Sequence, residues 1–334
     1  MTRVAVLAGD GIGPEVTEVA VEALQAAGFD GTFTKQPVGW ACWAQDGDAL
    51  PPATLDACRR ADAVLFGAIT SKPTAEATRE GPLGAGPYRS PILRLRQELG
   101  LWANVRPCQG RGVDLVLWRE NTECLYTDRE AKVTGLPAGA GVDVRIITPA
   151  AARRICDAAF NDAARRGRSR VTLLEKANVL RRSGAVMLAA FQAAAAEHPD
   201  IEARVENIDA ACAGIVTDPG AYDVVVASNL FGDIFSDVAA AVAGGLPQAA
   251  SANLGDGHAL FEPVHGSAPD IAGQGSADPR GAVRAAAMLA RHVGQTDVAD
   301  RMERALDACV GHDTASWRAS LLSHLERAEP SIEA

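Results

Sequence analysis

Two aspartates, Asp233 and Asp237, fall four residues apart in Ser228-Asn-Leu-Phe-Gly-Asp-Ile-Phe-Ser-Asp237. An apolar run at 223–227 precedes them as a buried strand and breaks at Asn229 and Gly232; Ile234, Val238 and Val242 then follow at helical spacing. The two carboxylates therefore share one helix face, where like charges repel. On a solvated helix that repulsion is tolerated, and an exposed acidic face is the plain reading. The sharper reading is a hard divalent cation, Mg²⁺ or Mn²⁺, which prefers carboxylate and water oxygens. A third carboxylate, Asp209, stands at the end of another apolar run, 203–208.

Basic groups accompany the acids. Arg106 lies in Trp102-Ala-Asn-Val-Arg-Pro107, Arg119 ends the apolar strand 115–118, and Arg96 lies on a helix opened by Ser90-Pro91. An arginine at the end of a buried strand either pairs with a structural carboxylate or faces an anion. Three such sites in a chain of net charge −10 favour a polycarboxylate ligand, because guanidinium groups clamp carboxylates bidentately. Tyr126, one of three tyrosines, follows Arg119 in a polar loop. Lys176 ends a strand between apolar runs. Burial there would lower its pKa and nearby carboxylates would raise it, leaving it able to exchange protons near neutral pH; a solvated lysine is the alternative.

Two glycine-punctuated segments complete the set. Gly9-Asp-Gly-Ile-Gly-Pro-Glu15 turns from a strand into a helix, without the spacing of a dinucleotide fingerprint. It either shapes a cleft edge or touches a cofactor. Glu262-Pro-Val-His-Gly-Ser-Ala-Pro-Asp270 has small residues that let backbone amides approach a phosphate, and an aspartate placed to accept from ribose hydroxyls.

These residues need a large scaffold, and 334 residues with 48% hydrophobic and 22% charged content provide one, as one large or two moderate domains. A pI near 5.1 argues against non-specific nucleic-acid binding. No apolar run approaches the ~18 residues of a membrane span, and no charged leader precedes the first strand, so a cytoplasmic enzyme is expected. The seven cysteines are scattered without CxxC spacing, as reduced thiols would be; the six histidines do not cluster, which speaks against zinc. Strands are predicted at 3–8, 61–66, 115–118, 144–147, 171–174, 205–208 and 224–227, helices at 149–166, 182–197 and 233–243, and a helical tail from Arg280. The long loop 72–88 suggests function. Such alternation defines an α/β chain with mixed sheets.

Taken in order, Gly9-Asp-Gly-Ile-Gly-Pro-Glu15, Leu95-Arg96, Asn104-Val-Arg-Pro107, Arg119-Glu-Asn-Thr-Glu123, Lys176-Ala-Asn178, Asn229-Leu-Phe-Gly-Asp233 and 262–273 resemble the β-decarboxylating dehydrogenases, which include isocitrate, homoisocitrate, 3-isopropylmalate and D-malate/tartrate dehydrogenases. The resemblance spans nearly the whole chain. It implies a two-domain isocitrate/isopropylmalate dehydrogenase-like fold, distinct from a standard Rossmann fold, with a discontinuous large domain (1–101 and 244–334) and a small domain (102–243) that makes a homodimer contact. In this family the lysine and one metal aspartate cross the interface. Lys176 and Asp209 would then complete a partner's site of Arg96, Arg106, Arg119, Tyr126, Asp233 and Asp237.

The implied reaction is NAD- and metal-dependent oxidative decarboxylation of a 3-substituted malate. Asp209, Asp233 and Asp237 would hold the metal, Lys176 would take the hydroxyl proton and Tyr126 would reprotonate C3. Cofactor contacts would come from Ile12, Ile69, Thr70, Asn178, Glu262, His265, Gly266, Ser267, Ala268, Asp270, Ile271 and Asp278. Asp270 and Ile271 stand where NADP-using relatives carry basic or phenolic residues, which favours NAD. In the substrate loop, Ser90 and Ile92 look most like homoisocitrate dehydrogenase, and Arg89 could meet a distal anion. Isocitrate, 3-isopropylmalate, D-malate, tartrate or a phosphonate analogue are the alternatives; a catalytically silent regulatory subunit is the alternative of another class. The sequence departs from the family at Cys124, usually glycine, at Glu175, usually histidine, and at Asp278, usually asparagine. Glu175 either partners Lys176 or points away. The segment 126–142 is short and Gly-rich, and the usual Asp-Leu-Gly-Gly near the C-terminus is lacking.

Overall fold

The computed structural model describes residues 1–70, 88–127, 135–137 and 139–327. The expected loop at 72–88 thus lies outside the described residues except for Tyr88. The chain divides into two compact units, Met1–Leu101 with Leu246–Ala334, and Trp102–Gly245.

In chain order, the first unit begins with β1 (Thr2–Gly9), α1 (Gly13–Ala26), β2 (Gly31–Lys35), α2 (Trp40–Asp46), α3 (Pro52–Arg60), β3 (Ala63–Ala68) and α4 (Pro91–Glu98). The second holds β4 (Ala103–Gly110), β5 (Val113–Glu120), α5 (Pro149–Arg166), β6 (Arg170–Glu175), α6 (Arg181–Ala196), β7 (Glu202–Asn207), α7 (Ile208–Thr217), β8 (Val224–Ala227) and α8 (Asn229–Ala243). The chain then returns to the first unit with β9 (Ala250–Leu254), β10 (Ala259–Pro263), α9 (Arg280–His292), α10 (Thr296–Ala308) and α11 (Thr314–Arg327).

Each unit is built on mixed strands flanked by helices. In the first the order is β2-β1-β3-β10-β9, parallel except for the β9–β10 pair. In the second it is β4-β5-β8-β6-β7, parallel except for the β4–β5 hairpin. β3 and β8 are buried at every residue, which is why both appear in the sequence as unbroken apolar runs. The strands β2 and β7 lie at the sheet margins and are largely exposed. That position explains why β2 gives no apolar signal, and why Val205 in β7 is 49% exposed although it belongs to an apparent apolar run.

The first turn shows why glycine stands where it does. Gly9 has φ +77, and a Cβ there would lie 1.9 Å from the Ala68 carbonyl oxygen. A side chain would drive β1 from β3, so the turn must be glycine. Pro14 then sits in the first turn of α1, where its missing N–H costs nothing.

Three expectations need correction. The stretch 144–147 is a single bridge between Ile146 and Cys124, not a strand. Asp209 lies in the first turn of α7, because β7 ends at Asn207. Gly232 does not break the chain; α8 starts at Asn229 and runs through it. Gly232 is instead a clearance. A Cβ on it would lie 2.8 Å from Cγ and 2.9 Å from Cβ of Arg119, which is 1% exposed beneath the helix. Glycine inside a helix ordinarily costs ~1 kcal/mol relative to alanine, so Gly232→Ala on an open helix would stabilise. Here the overlap reverses the sign, and the variant should lose about 1–3 kcal/mol, read as a lower denaturant midpoint; an unchanged or higher midpoint would show that Arg119 yields freely.

Candidate active site

The Asp233 face of α8 gathers most of the sequence-predicted chemistry of the second unit. Arg106, 8% exposed, is held by Asn104 at 2.7 Å and donates to Ser236 Oγ at 2.6 Å, while its two terminal nitrogens reach Asp237 at 3.4 Å and Asp233 at 3.3 Å. Arg119 donates from Nε to Asn229 Oδ1 at 2.9 Å and from Nη1 to Asp233. Tyr126 Oη donates to the other Asp233 oxygen at 2.8 Å, and the Arg119 guanidinium lies 5.4 Å from the tyrosine ring centre. The middle of β4 and the end of β5 supply the arginines, and helix α8 supplies the acids. Burial pushes the Asp237 carboxyl above its ordinary value; Arg106 opposes this and Asp233 adds to it. Asn104, Asn229 and Ser236 fall inside the motifs quoted above, but as neutral side chains their orienting roles show only in the contacts they make.

Lys176 and Asp209 form a second cluster. Lys176 Nζ is ion-paired with Asp209, whose side chain is 66% exposed, and the lysine's hydrogen bond holds that carboxyl below its usual range. Glu175 does not partner the lysine's ammonium. It is 1% exposed, grips Arg145 through both oxygens at 3.2 and 2.8 Å, and accepts the Lys176 backbone N–H at 2.9 Å. Asn178 follows on the exposed turn after Lys176. Arg145 was missed by the sequence reading; its signal was a charged residue between Val144 and Ile146 in a short alternating run.

In the first unit, the glycine turn, the end of β3 and the 265–271 segment meet. Ile12 N donates to Ser267 O at 2.8 Å, and Thr70 Oγ1 lies 2.9 Å from Ser267 Oγ. The Asp10 carboxylate accepts from Thr70 N at 3.0 Å and Trp40 N at 2.9 Å. His265 Nδ1 is 3.0 Å from Gly266 O, whereas its Nε2 is buried without a hydrogen-bond partner among the described residues. Gly266 has open space around it, and Asp270 is exposed with Ile271 half-buried beside it. Ala268 takes φ +35, and Ile271 N closes the turn onto its carbonyl at 3.1 Å.

Other predicted contacts are engaged elsewhere in this unit. Glu262 accepts from Arg96 at 3.3 Å and from Asn253 at 2.8 Å, and Asn253 also accepts from Arg96 Nε at 3.1 Å. Asp278 is clasped by Arg280 at 2.6 Å, whose guanidinium stacks 4.0 Å over Trp317. In the substrate loop, Arg89 is exposed and Ser90 half-buried. Ile69 and Ile92 pack against one apolar cluster that includes Leu95 and Phe66. Tyr88 meets Trp40 at a tilt, ring centres 4.9 Å apart, and Trp43 edge-on at 5.9 Å.

The donor set suits a hard cation, since Asp233 and Asp237 present half-exposed carboxylates from one helix face. Among the described residues, however, no three His, Cys, Asp or Glu side chains gather to hold a metal ion. Asp209 therefore does not join the other two aspartates within one chain. For a dinucleotide, the buried unpartnered His265 Nε2 and the open backbone at Gly266 are features that a bound ligand would satisfy.

An α/β scaffold with buried arginines and paired aspartates accompanies a clear family match, and the relatives are dehydrogenases acting on a CH–OH group. The chain belongs to the isocitrate/isopropylmalate dehydrogenase family, whose model matches residues 3–317. It is 41% identical to a 3-isopropylmalate dehydrogenase of Archaeoglobus fulgidus over 318 residues, covering 93% of this chain and 92% of the relative. It is 38% identical to a homoisocitrate dehydrogenase of Methanocaldococcus jannaschii, covering 93% and 90%. The crystal structure of isocitrate dehydrogenase from Methylococcus capsulatus superposes with a TM-score of 0.88 at 37% identity, covering 98% of this chain and all of that one. Oxidative decarboxylation is the reaction of this family. Its members depend in general on NAD and a divalent metal. No helix among the described residues is long and apolar enough to cross a membrane.

His265 gives the site a pH signature. Desolvation lowers its pKa from 6.5, with the Gly266 hydrogen bond opposing. A depressed folded pKa contributes stability that is complete above the unfolded value and is lost as pH falls through the folded one. The ligand-free protein should therefore weaken as pH drops below about 6.5, and His265→Gln should flatten that part of the denaturation-midpoint profile. Equal slopes in the two proteins would remove His265 as the cause.

Proposed function

We propose that the protein converts a 3-substituted malate, with homoisocitrate first among candidates, to a 2-oxo acid and CO₂, using NAD and Mg²⁺ or Mn²⁺ in a homodimer with shared sites. The observation that carries this reading is the meeting of Arg106, Arg119 and Tyr126 on the Asp233 face of α8. Two buried guanidinium groups beside half-exposed carboxylates suit a polycarboxylate and a cation together, and such clamps are strong because planar donors meet planar acceptors.

Asp233 and Asp237, with Asp209 of a second copy, would hold the cation, and the 265–271 segment with Ile12 and Thr70 would hold the dinucleotide. When bound, the cation lowers the pKa of the substrate's hydroxyl and stabilises negative charge after CO₂ leaves, while the nicotinamide accepts the hydride. The chain's own groups do the rest. Arg96, Arg106 and Arg119 bind and orient the substrate carboxylates. Lys176 takes the C2 hydroxyl proton, directly or through a water or carboxylate, once the ammonium that pairs with Asp209 has itself given up a proton. Tyr126 Oη gives a proton to C3, and the Arg119 guanidinium over its ring favours the phenolate left behind.

The homodimer rests on the apolar surface of the second unit and on the separation of the acids. Val179, Val205, Val216 and Ile234 are 45–66% exposed, and Asp209 stands apart from Asp233 and Asp237. A second substrate reading has its own support. Ile92 packs against the apolar cluster that includes Leu95 and Phe66, which suits an apolar distal group such as that of 3-isopropylmalate. The exposed Arg89 suits the distal carboxylate of homoisocitrate.

Lys176→Ala or Tyr126→Phe should cut kcat by about 100-fold or more while leaving NAD affinity unchanged. Mixing the two inactive variants should restore activity, because half of the sites in a mixed dimer would receive Lys176 from one chain and Tyr126 from the other. Failure to complement, with mixed dimers shown to form, would place both residues in a site made by one chain. Asp270→Lys should erode the preference for NAD over NADP; an unaltered preference would place the ribose elsewhere.

A further inference from the structure

We propose that Arg145 is a positioning residue for this reaction, one guanidinium that fixes the Tyr126 segment, the Lys176 strand end and helix α8 relative to one another. The inference rests on the roles given above to Tyr126 and Lys176. Arg145 is 9% exposed at its side chain, and its contacts lie on four separate stretches of the second unit. Nη1 donates to Glu175 Oε1 at 3.2 Å and Ser183 Oγ at 2.9 Å; Nη2 donates to Glu175 Oε2 at 2.8 Å and Ser228 Oγ at 3.0 Å. The guanidinium also lies 5.0 Å from the Phe231 ring centre. Burial opposes the charge, but the Glu175 carboxylate, with a smaller contribution from the neighbouring Cys124, holds the arginine's pKa above its ordinary value.

Three of its neighbours lie close in the chain to residues with a proposed role. Glu175 accepts the Lys176 backbone N–H, so its carboxylate ties the lysine's main chain to Arg145. Cys124 lies two residues before Tyr126, is 1% exposed with φ +71, and its backbone pairs both ways with Ile146, the neighbour of Arg145. Ser228 precedes α8, which carries Asp233 and Asp237. A serine at that position ordinarily caps the helix, yet Ser228 makes no side-chain cap bond and its hydroxyl accepts from Arg145 instead. Arg145 Nε is buried without a hydrogen-bond partner among the described residues, a cost seldom met without a countervailing constraint. A lysine could not serve, because a single ammonium lacks the fixed fork that spans these acceptors.

Three variants in the full-length protein test this: Arg145→Lys, which keeps the charge, Arg145→Met, and Arg145→Met/Glu175→Gln, which avoids leaving a buried carboxylate unpaired. With the malate derivative the wild type prefers, all three should lose about 100-fold in kcat through misplacement of the reacting groups, with KM changed by less than about threefold. Amide hydrogen exchange should quicken at 121–127, 174–180 and 226–232 and stay unchanged at 1–26 and 280–308. Wild-type kcat in the double variant, or exchange that quickens uniformly, would overturn the proposal. Should the wild type turn over no malate derivative, the functional reading falls by itself, and the exchange pattern decides the role of Arg145 alone.

Discussion

A buried guanidinium must meet an acceptor, and in this protein that requirement organises the second unit. Arg119 is 1% exposed and ends the interior strand β5, where an unpaired charge would cost several kcal/mol. Asn229 and Asp233 meet it from one turn of α8, and the helix can come close enough because residue 232 is glycine. Arg106 from the adjoining strand then has Asp233, Ser236 and Asp237 within reach. The carboxylates are held by two cations and a tyrosine before any ligand arrives. Such prior arrangement limits the reorganisation that substrate binding would demand.

A comparable economy governs the first unit. The Asp10 carboxylate joins the glycine turn, Trp40 and Thr70, while Ser267 returns from far along the chain to bond both Ile12 and Thr70. Close backbone passage at Gly9 and Gly11 permits this, since a Cβ at Gly11 would lie 2.0 Å from the Ser267 carbonyl oxygen. The segment read as a cofactor cradle is thereby anchored at its base, with Gly266 and Asp270 left outward.

Legibility in the sequence followed burial. β3 and β8 are apolar throughout and were readable, as were α5 and α6, whose apolar spacing is regular. β5 was readable in its apolar part, 115–118, and β7 in part, whereas the marginal strand β2 and the Pro107-containing β4 were harder, because exposed or Pro-containing strands share their composition with loops. Charged site residues stood out wherever an apolar run ended in Arg, Lys or Asp. The neutral residues that orient them, Asn104, Asn229, Asn253 and Ser236, did not, since an amide or hydroxyl acquires meaning through what it faces. Gly232 misled for the same reason: spacing alone makes it a helix breaker, and only Arg119 beneath it makes it a clearance. Glu175 was noticed as a departure, but its true partner, Arg145, lies 30 positions away and no local pattern joins them.

The account stands most directly on turnover by the unaltered protein. Purified chain with NAD and Mg²⁺ or Mn²⁺ would be offered homoisocitrate, isocitrate, 3-isopropylmalate, D-malate, tartrate and a phosphonomethyl malate, while NADH and CO₂ are followed together. Equal amounts of both products are expected from a 3-substituted malate, with dependence on the divalent ion. Binding of NAD and metal without turnover of any of these compounds would contradict it.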